Sequence, residues 1–454
     1  MTKNITEYLS SPSIDLDEWK KIAEASLKDK TLEDLEKNID QDIKTKPLYT
    51  SQDIDEDYSN SSRRGLKKKN NNFMPWYICS IIDHSNDTKI LNSRIINELE
   101  RGSNAIELTS LANGDLNTIL NKVDPSIAPI YIKNLKNPFS KINEFLSYAE
   151  KWKALNKKEP LGGYQIDPIA TNLWLGEFSK EKFGEFIQYE DILEKSLDLQ
   201  SEFKDKLPKI SVIHFDGSLW NDLGVGLSKE IELITSSFIE VFKNLDVNKK
   251  KELKVSITIS ADTDFFALIA KFRSVRIIFD NLFKHFNING KLNITSRSSS
   301  RIIFNEDPWV NQLRLTTAAL ASAIGGADRI ISQNITQKLG QAPEFIRRLT
   351  RNTHIILQEE SRISRVQDPV GGSFYVESLT NNLARNVWKN IKLTEGSGGI
   401  TSLLTSKEFI NNMRKLRSKE SKDILDKKIK KIGVNIFEDP DSNPINVKPF
   451  EEVL

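Results

Sequence analysis

The chain of 454 residues contains one cysteine, Cys79, so no internal disulfide can form, and this usage fits a reducing compartment. Cys79 lies in the apolar run WYICSII and reads as a buried core thiol, since no histidine sits at an informative spacing from it. Histidine is scarce too: His84, His214, His285 and His354 are the full set, and no cluster has the spacing of zinc ligands. There is no excess of either charge. The 65 Lys and Arg stand against 63 Asp and Glu, net +2, which removes the electrostatic case for nucleic acid or a membrane surface as main partner. No window reaches the roughly 20 apolar residues of a membrane span. The N-terminus, MTKNITEYLSSPSIDLDEW, has no apolar core of signal-peptide length, and the expectation is a cytoplasmic protein. No GxGxxG turn follows the first strand-like run, and no GxxxxGK[ST] loop is present.

What is present is apolar material for one large core: 38% hydrophobic residues beside 28% charged ones. Residues 1–50 read as a helical arm. SIDLDEWKKIAEASL offers Ser13 and Asp15 as caps and places Trp19, Ile22 and Leu27 roughly on one face; TLEDLEKNI repeats the pattern with Leu32, Leu35 and Ile39. Residues 51–74 form a charged, Asn- and Ser-rich linker. Its basic cluster, Arg63, Arg64, Lys67, Lys68 and Lys69, reads as a solvated stretch because acidic residues adjoin it.

From residue 75 short β-branched runs alternate with amphipathic segments. The strands expected are 76–82, 105–108, 129–132, 162–167, 210–215, 255–260, 292–296 and 329–333. Eight strands with crossover helices close into a (β/α)₈ TIM barrel, here over residues 75–374. Residues 375–454 read as C-terminal helices followed by an extended Pro- and Asp-rich tail.

A barrel of this kind carries its site at the C-terminal ends of the strands. Those ends bring Asp83 and His84, Gln165 and Asp167, His214, Asp216, Gly217 and Ser218, Asp262, Arg297 with three serines, and Gln333 with Asn334. The mouth is polar yet short of acid–base groups. His84 reads as a loop histidine with local hydrogen bonds, and His285 and His354 as helix residues used for packing or surface. His214 and Asp216, two apart on a strand, point to one side and suit a base and its orienter, but no nucleophile completes a triad. Glu359 and Glu360 read as solvated.

Four stretches carry a resemblance. RVQDPVGGSFYVESLT (365–380), after RRLTRNTHIILQEES, is similar to the Asp-Pro-x-Gly-Gly-Ser-x-Tyr-Val-Glu pattern of the adenosylcobalamin-dependent methylmalonyl-CoA mutase family. Its Asp368-Pro369 and Gly371-Gly372 make a tight turn that lets the backbone approach a packed neighbour. DTDFFALIAKFRSVR (262–276), NEDPWVNQLRLTTAALASAIGGAD (305–328) and KTKPLYTSQDID (45–56) resemble three further family segments, in the family's order.

The resemblance also locates departures. The family's cobalamin domain, C-terminal to the barrel in one-chain members, provides the cobalt's lower axial histidine from Asp-x-His-x-x-Gly. The expectation here is no cobalamin-binding domain before Leu454. The single His-x-x-Gly, His214 to Gly217, has Val212 at the Asp position and lies on a barrel strand. After strand five, DGSLWNDLGV looks like the family's substrate loop with Ser218 at the tyrosine and Leu219 at the thioester-binding histidine. Leucine neither donates a proton nor polarises a carbonyl. After strand four, GGYQIDPIATNLWL keeps Gln165 and Asp167 but has Leu175 where the resemblance implies a carboxylate-gripping arginine. Near strand one Pro75 and Trp76 persist, while the radical-shielding tyrosine is missing and Met74 replaces an arginine.

These losses point to the small, non-catalytic subunit of two-subunit members. Gln165, Asp167, Leu175, Ser218 and Leu219 are then a vestigial substrate pocket, with no catalytic, cofactor or metal residue on this chain. The implied partner is the large subunit of methylmalonyl-CoA mutase, which binds the adenosylcobalamin and interconverts methylmalonyl-CoA and succinyl-CoA, and the 1–50 arm is the expected contact. The alternative is a substrate barrel of a split acyl-CoA mutase with its cobalamin domain on another chain; Leu219 and Leu175 oppose it. A nucleotide-hydrolysing cobalamin chaperone would need the absent phosphate loop.

Overall fold

The computed structural model describes residues 15–40, 43–54, 75–109, 114–135, 139, 141–171, 173, 189–245, 254–439 and 445–451. Its centre is a closed parallel barrel. The strands are Tyr77–Ile82, Ala105–Leu108, Ile130–Ile132, Gly162–Ile166, Ile210–Ile213 continued by Phe215–Asp216, Val255–Ala261, Leu292–Ser298 and Arg329–Ile331. Each pairs in parallel with the next, and the eighth returns to the first. The fifth strand is broken at His214: its first half pairs with strand four and its second half with strand six, so the ring closes through that break. All eight strands expected from the β-branched runs are formed.

The crossover helices start where short polar side chains cap them. Asp87 accepts from the N–H groups of Lys89 and Ile90 at the head of Thr88–Glu100, Asp264 caps Phe265–His285, and Asp307 followed by Pro308 opens Pro308–Gly325. Apolar faces of these helices fill the shell around the sheet. Phe238 of Leu227–Asn244 is fully buried among Phe215, Phe242, Phe279 and Phe283, with ring centroids 5.3 to 6.2 Å from its own. No described helix is long and apolar enough to cross a membrane.

The segments resembling the mutase family interlock. Arg273 of Phe265–His285 grips both carboxylate oxygens of Asp368 (2.5 and 2.6 Å) and also Glu377 (2.6 Å), which in turn accepts the N–H of Gly372 (3.2 Å). Gly372 has φ +92°, and a Cβ at Gly371 would fall 2.9 Å from the Asp368 carboxylate, so the turn needs both glycines. Three residues further on, Arg276 reaches Asp328 (2.9 Å) and the carbonyl of Gly326 (2.5 Å). Tyr49 stacks on Tyr375 at 5.0 Å, which ties residues 45–54 to the same motif.

The arm differs from expectation in its second half. Leu16–Ser26 is a helix, as its periodicity requires, but residues 31–39 do not form another. Glu33–Leu35 makes one 3₁₀ turn, and Lys37–Asp40 pairs antiparallel with Ile43–Thr45. Leu32 and Leu35, three apart, suit a 3₁₀ turn as well as an α-helix. Asp34 takes the N–H of Thr31 (2.8 Å), Ile43 is buried in the main core, and Asp40 accepts the N–H of Ser228 (2.6 Å). Asp40 thus caps Leu227–Asn244, whose own N-cap residue is Gly226 with no side chain to do so. The expected basic linker cluster and Met74 lie outside the described residues.

The C-terminal part runs as helices Phe374–Gly396, Gly399–Thr405 and Lys407–Leu425. Residues 445–451, expected as an extended arm, lie on the barrel rim beside the adjacent strands one and eight. Gln341 donates to the carbonyls of Lys448 (2.8 Å) and Pro449 (2.9 Å), and Glu451 accepts from the N–H of Asn86 (2.9 Å) and from Ser85 (3.2 Å). The tail therefore joins the loops after strands one and eight.

Candidate functional site

The inner wall of the barrel carries charge as well as apolar side chains. Glu107 of strand two, buried, receives Arg297 of strand seven in an ion pair. Gln165 of strand four donates its amide nitrogen to Glu107 (2.9 Å) and accepts from Arg329 of strand eight (2.6 Å). Arg329 also donates to Thr295 (3.0 Å), and its guanidinium lies 3.3 Å from the centre of the Tyr131 ring on strand three. Below these, Cys79, Ile81, Ala105 and Ile331 pack with Tyr77 and Tyr131. Side chains from six strands thus meet one another on the axis, and the barrel is a packed core at this level. Burial pushes the Cys79 thiol up to about 12, so it is an inert core thiol.

Toward the mouth, Lys133 at the end of strand three pairs with Asp216 (2.6 Å), and Asp216 also accepts from the N–H (2.9 Å) and hydroxyl (2.5 Å) of Ser218. Burial opposes the charged form of Asp216, but Lys133 and Arg297 overcome it and hold the carboxyl well below its ordinary value. Asp167 accepts the N–H of Asp216 (2.6 Å) and of Ile169 and Ala170 (2.9 and 2.7 Å); burial with Asp216 nearby pushes it up to about 7.

His214 does not hydrogen-bond to Asp216. Its ring sits between Ser256 (Nδ1, 3.0 Å) and Thr258 (Nε2, 2.8 Å), and burial pulls it down to about 3, which leaves a neutral ring with both nitrogens engaged. The base-and-orienter geometry expected for this pair is therefore not formed. His84 bonds locally to Asn86 (3.0 Å), as expected for a loop histidine. His354 is buried and bonded to Ser332 (2.9 Å), and His285 lies exposed at the far end of its helix. Asp262 is turned onto the N–H of Thr263 (2.6 Å), and Glu359 and Glu360 are exposed.

The residues singled out in sequence divide accordingly. Gln165 belongs to the axial network, and Asp167 and Ser218 to the cluster around Asp216. Leu219 is 2% exposed and packs in the main core beside Trp220 and Leu223, not in an open pocket. Leu175 lies outside the described residues. Glu107, Tyr131, Lys133 and Arg329 were not singled out. Each is one polar or aromatic residue in or beside an apolar strand, and alternation along the strand is the signal that places three of them inward.

No group of three or more His, Cys, Asp or Glu among the described residues is placed to hold a metal ion. The histidines do not fit a cobalt ligand at the mouth either: His214 and His354 are buried in side-chain hydrogen bonds, and His84 is turned onto its own loop.

A closed parallel barrel with a polar but occupied axis defines a (β/α)₈ protein. The methylmalonyl-CoA mutase profile matches residues 185–453, more than half of the sequence, and the chain belongs to that family. It is 29% identical over 240 residues to a probable methylmalonyl-CoA mutase small subunit of Mycobacterium tuberculosis, covering 50% of this chain and 38% of that one. It is 26% identical over 406 residues to the methylmalonyl-CoA mutase small subunit of Propionibacterium freudenreichii subsp. shermanii, covering 85% and 60%. A methylmalonyl-CoA mutase large subunit of Porphyromonas gingivalis matches at 26% over 255 residues, 53% of this chain and 35% of that one. The chain thus spans between 38% and 60% of the length of these two small-subunit relatives.

Proposed function

We propose that this chain is the accessory small subunit of a two-subunit methylmalonyl-CoA mutase. Its partner is the large subunit, which binds adenosylcobalamin and interconverts methylmalonyl-CoA and succinyl-CoA, and its own barrel is a degenerate copy. The observation that carries this reading is the occupied axis. An acyl-CoA needs an open, lined path, and Glu107, Arg297, Gln165, Arg329 and Tyr131 spend their polar groups on one another.

The substrate-facing residues agree. Leu219 provides neither a proton nor a hydrogen-bond donor for a thioester, and Ser218 is bound to Asp216. In this reading adenosylcobalamin, the family's radical source, belongs to the partner, and no chemical step runs through this chain. What these residues do is hold a rigid barrel for assembly.

The division of labour follows the chain. Residues 1–50 are the arm that contacts the partner, 51–74 the linker, 75–374 the barrel, and 375–454 the C-terminal helices and tail. Supporting the arm's role, Leu16–Ser26 turns Leu16, Trp19 and Ala23 to one side, yet none of its residues is buried. The test is to mix this chain with the catalytic large subunit and follow mass by sedimentation and turnover of methylmalonyl-CoA. The reading expects a one-to-one complex whose turnover tracks the large subunit. Turnover by this chain with adenosylcobalamin alone, or no complex at micromolar concentrations, would refute it.

A further inference from the structure

Away from the axis, on the rim formed by the loops after strands seven and eight, three cations converge on one aromatic ring. The guanidinium carbon of Arg314 lies 4.9 Å from the centre of the Phe304 ring, Nζ of Lys338 5.7 Å and Nζ of Lys431 5.9 Å. They come from separate parts of the chain. Phe304 follows strand seven, Arg314 is in Pro308–Gly325, Lys338 is in the loop after strand eight, and Lys431 lies beyond Lys407–Leu425. Bringing like charges this close is unfavourable unless something compensates.

The nearby carboxylates are mostly engaged elsewhere. Asp307 caps its helix through the N–H groups of Trp309 and Val310 (3.2 and 3.4 Å), Asp222 accepts from Ser300 (2.5 Å), and Glu420 is paired with Arg301 (2.5 Å). Glu306, on the surface, is the remaining acid that faces both Arg314 and Lys338. Arg314 donates to Asn311 (2.8 Å) and to the carbonyl of Ile432, both neutral acceptors. Among the described residues no carboxylate forms an ion pair with any of the three. The ring face attracts each cation but does not neutralise it.

The loops after strands seven and eight are also where (β/α)₈ barrels often hold a phosphate group. A phosphate monoester brings roughly two negative charges and three strong acceptor oxygens, and both lysine and arginine bind it. We propose that Arg314, Lys338 and Lys431, gathered on Phe304, form a binding site for a phosphate group, either inorganic phosphate or a small phosphate ester. The site is separate from the blocked axis and does not depend on the accessory role.

The test is calorimetry and phosphorus NMR on the full chain, with inorganic phosphate in one arm and glycerol phosphate in the other. The two arms identify the source of the phosphate group. The expected result is one saturable site in at least one arm, weakened about tenfold or more in the double variant Lys338→Gln/Lys431→Gln. A double variant of equal charge change on remote helices, Lys89→Gln/Lys151→Gln, should bind as the parent does. Circular dichroism establishes that both variants are folded, and Phe304→Leu gives an independent disruption if the first one is not. No saturable binding in either arm at millimolar ligand overturns the proposal. So does an equal loss in the remote variant, which would reduce the effect to overall charge.

Discussion

Arg297 on strand seven forms an ion pair with Glu107 on strand two, 190 positions away, and the two side chains meet inside the barrel. With Gln165 and Arg329 they turn the axis from a passage into a closed polar core. Breaking a buried pair from one side leaves an uncompensated charge and costs about 3–5 kcal/mol. Glu107→Ala, which strands Arg297 and removes the acceptor of the Gln165 amide, should lower unfolding free energy by that order in urea titrations. A loss near zero would mean that water already reaches the axis.

The Arg273 clamp should be as demanding. Arg273→Lys keeps the charge but loses the fork that serves Asp368 and Glu377 together. The expected loss is up to about 3–5 kcal/mol by chemical denaturation, the range for breaking a buried ion pair. Stability equal to the parent would show that the clamp is replaceable by a point charge.

Two buried histidines set an acid limb of stability. Burial draws His354 down to about 4 and His214 down to about 3, from an ordinary 6.5. Between those values and 6.5 the unfolded chain binds more protons than the native one. Their contribution is therefore fully present above pH 6.5 and lost as the pH falls, by about 1.4 kcal/mol per unit for each histidine. Asp167, raised to about 7, acts in the opposite sense: it adds stability as the pH falls from 7 toward 3.8. His354→Gln should flatten the pH dependence of unfolding free energy between 6.5 and 4 by one proton's worth. An unchanged slope would contradict the buried, neutral assignment.

The tail on the barrel rim depends on Gly340. Its φ is +155°, and a Cβ there would collide with the carbonyl of Lys448. Gly340→Ala should release residues 445–451, seen as faster proteolysis of the C-terminus and faster amide exchange at Gln341. Unchanged protection would mean that the tail is held by Glu451 on Ser85 and Asn86 alone.

Much of this fold was legible in the sequence, because most barrel strands are short runs rich in β-branched residues and the long crossover helices carry a helical period. The family segments were legible for a related reason: Asp368, Gly371, Gly372, Arg273 and Asp328 serve one interlocked framework, so they stand as compact local patterns in the chain. The axial network was not legible. Glu107 is one acid inside AIEL, and its partners are set by barrel closure, not by neighbours in the chain. Residues 31–39 are ambiguous in sequence because two leucines three apart fit both a 3₁₀ turn and an α-helix, and tertiary contacts of Asp40 and Ile43 decide between hairpin and helix. The pairing of Lys133 with Asp216 displaced the expected one between His214 and Asp216, since a full positive charge competes better than a neutral ring for a buried carboxylate.

The most direct measurement is calorimetric titration of the purified chain with methylmalonyl-CoA, using the catalytic large subunit as positive control. The account predicts no saturable heat from this chain at concentrations that saturate the control, because the axis is filled and Leu219 is in the core. Stoichiometric binding by this chain alone would contradict it and would mean that the barrel opens to take substrate.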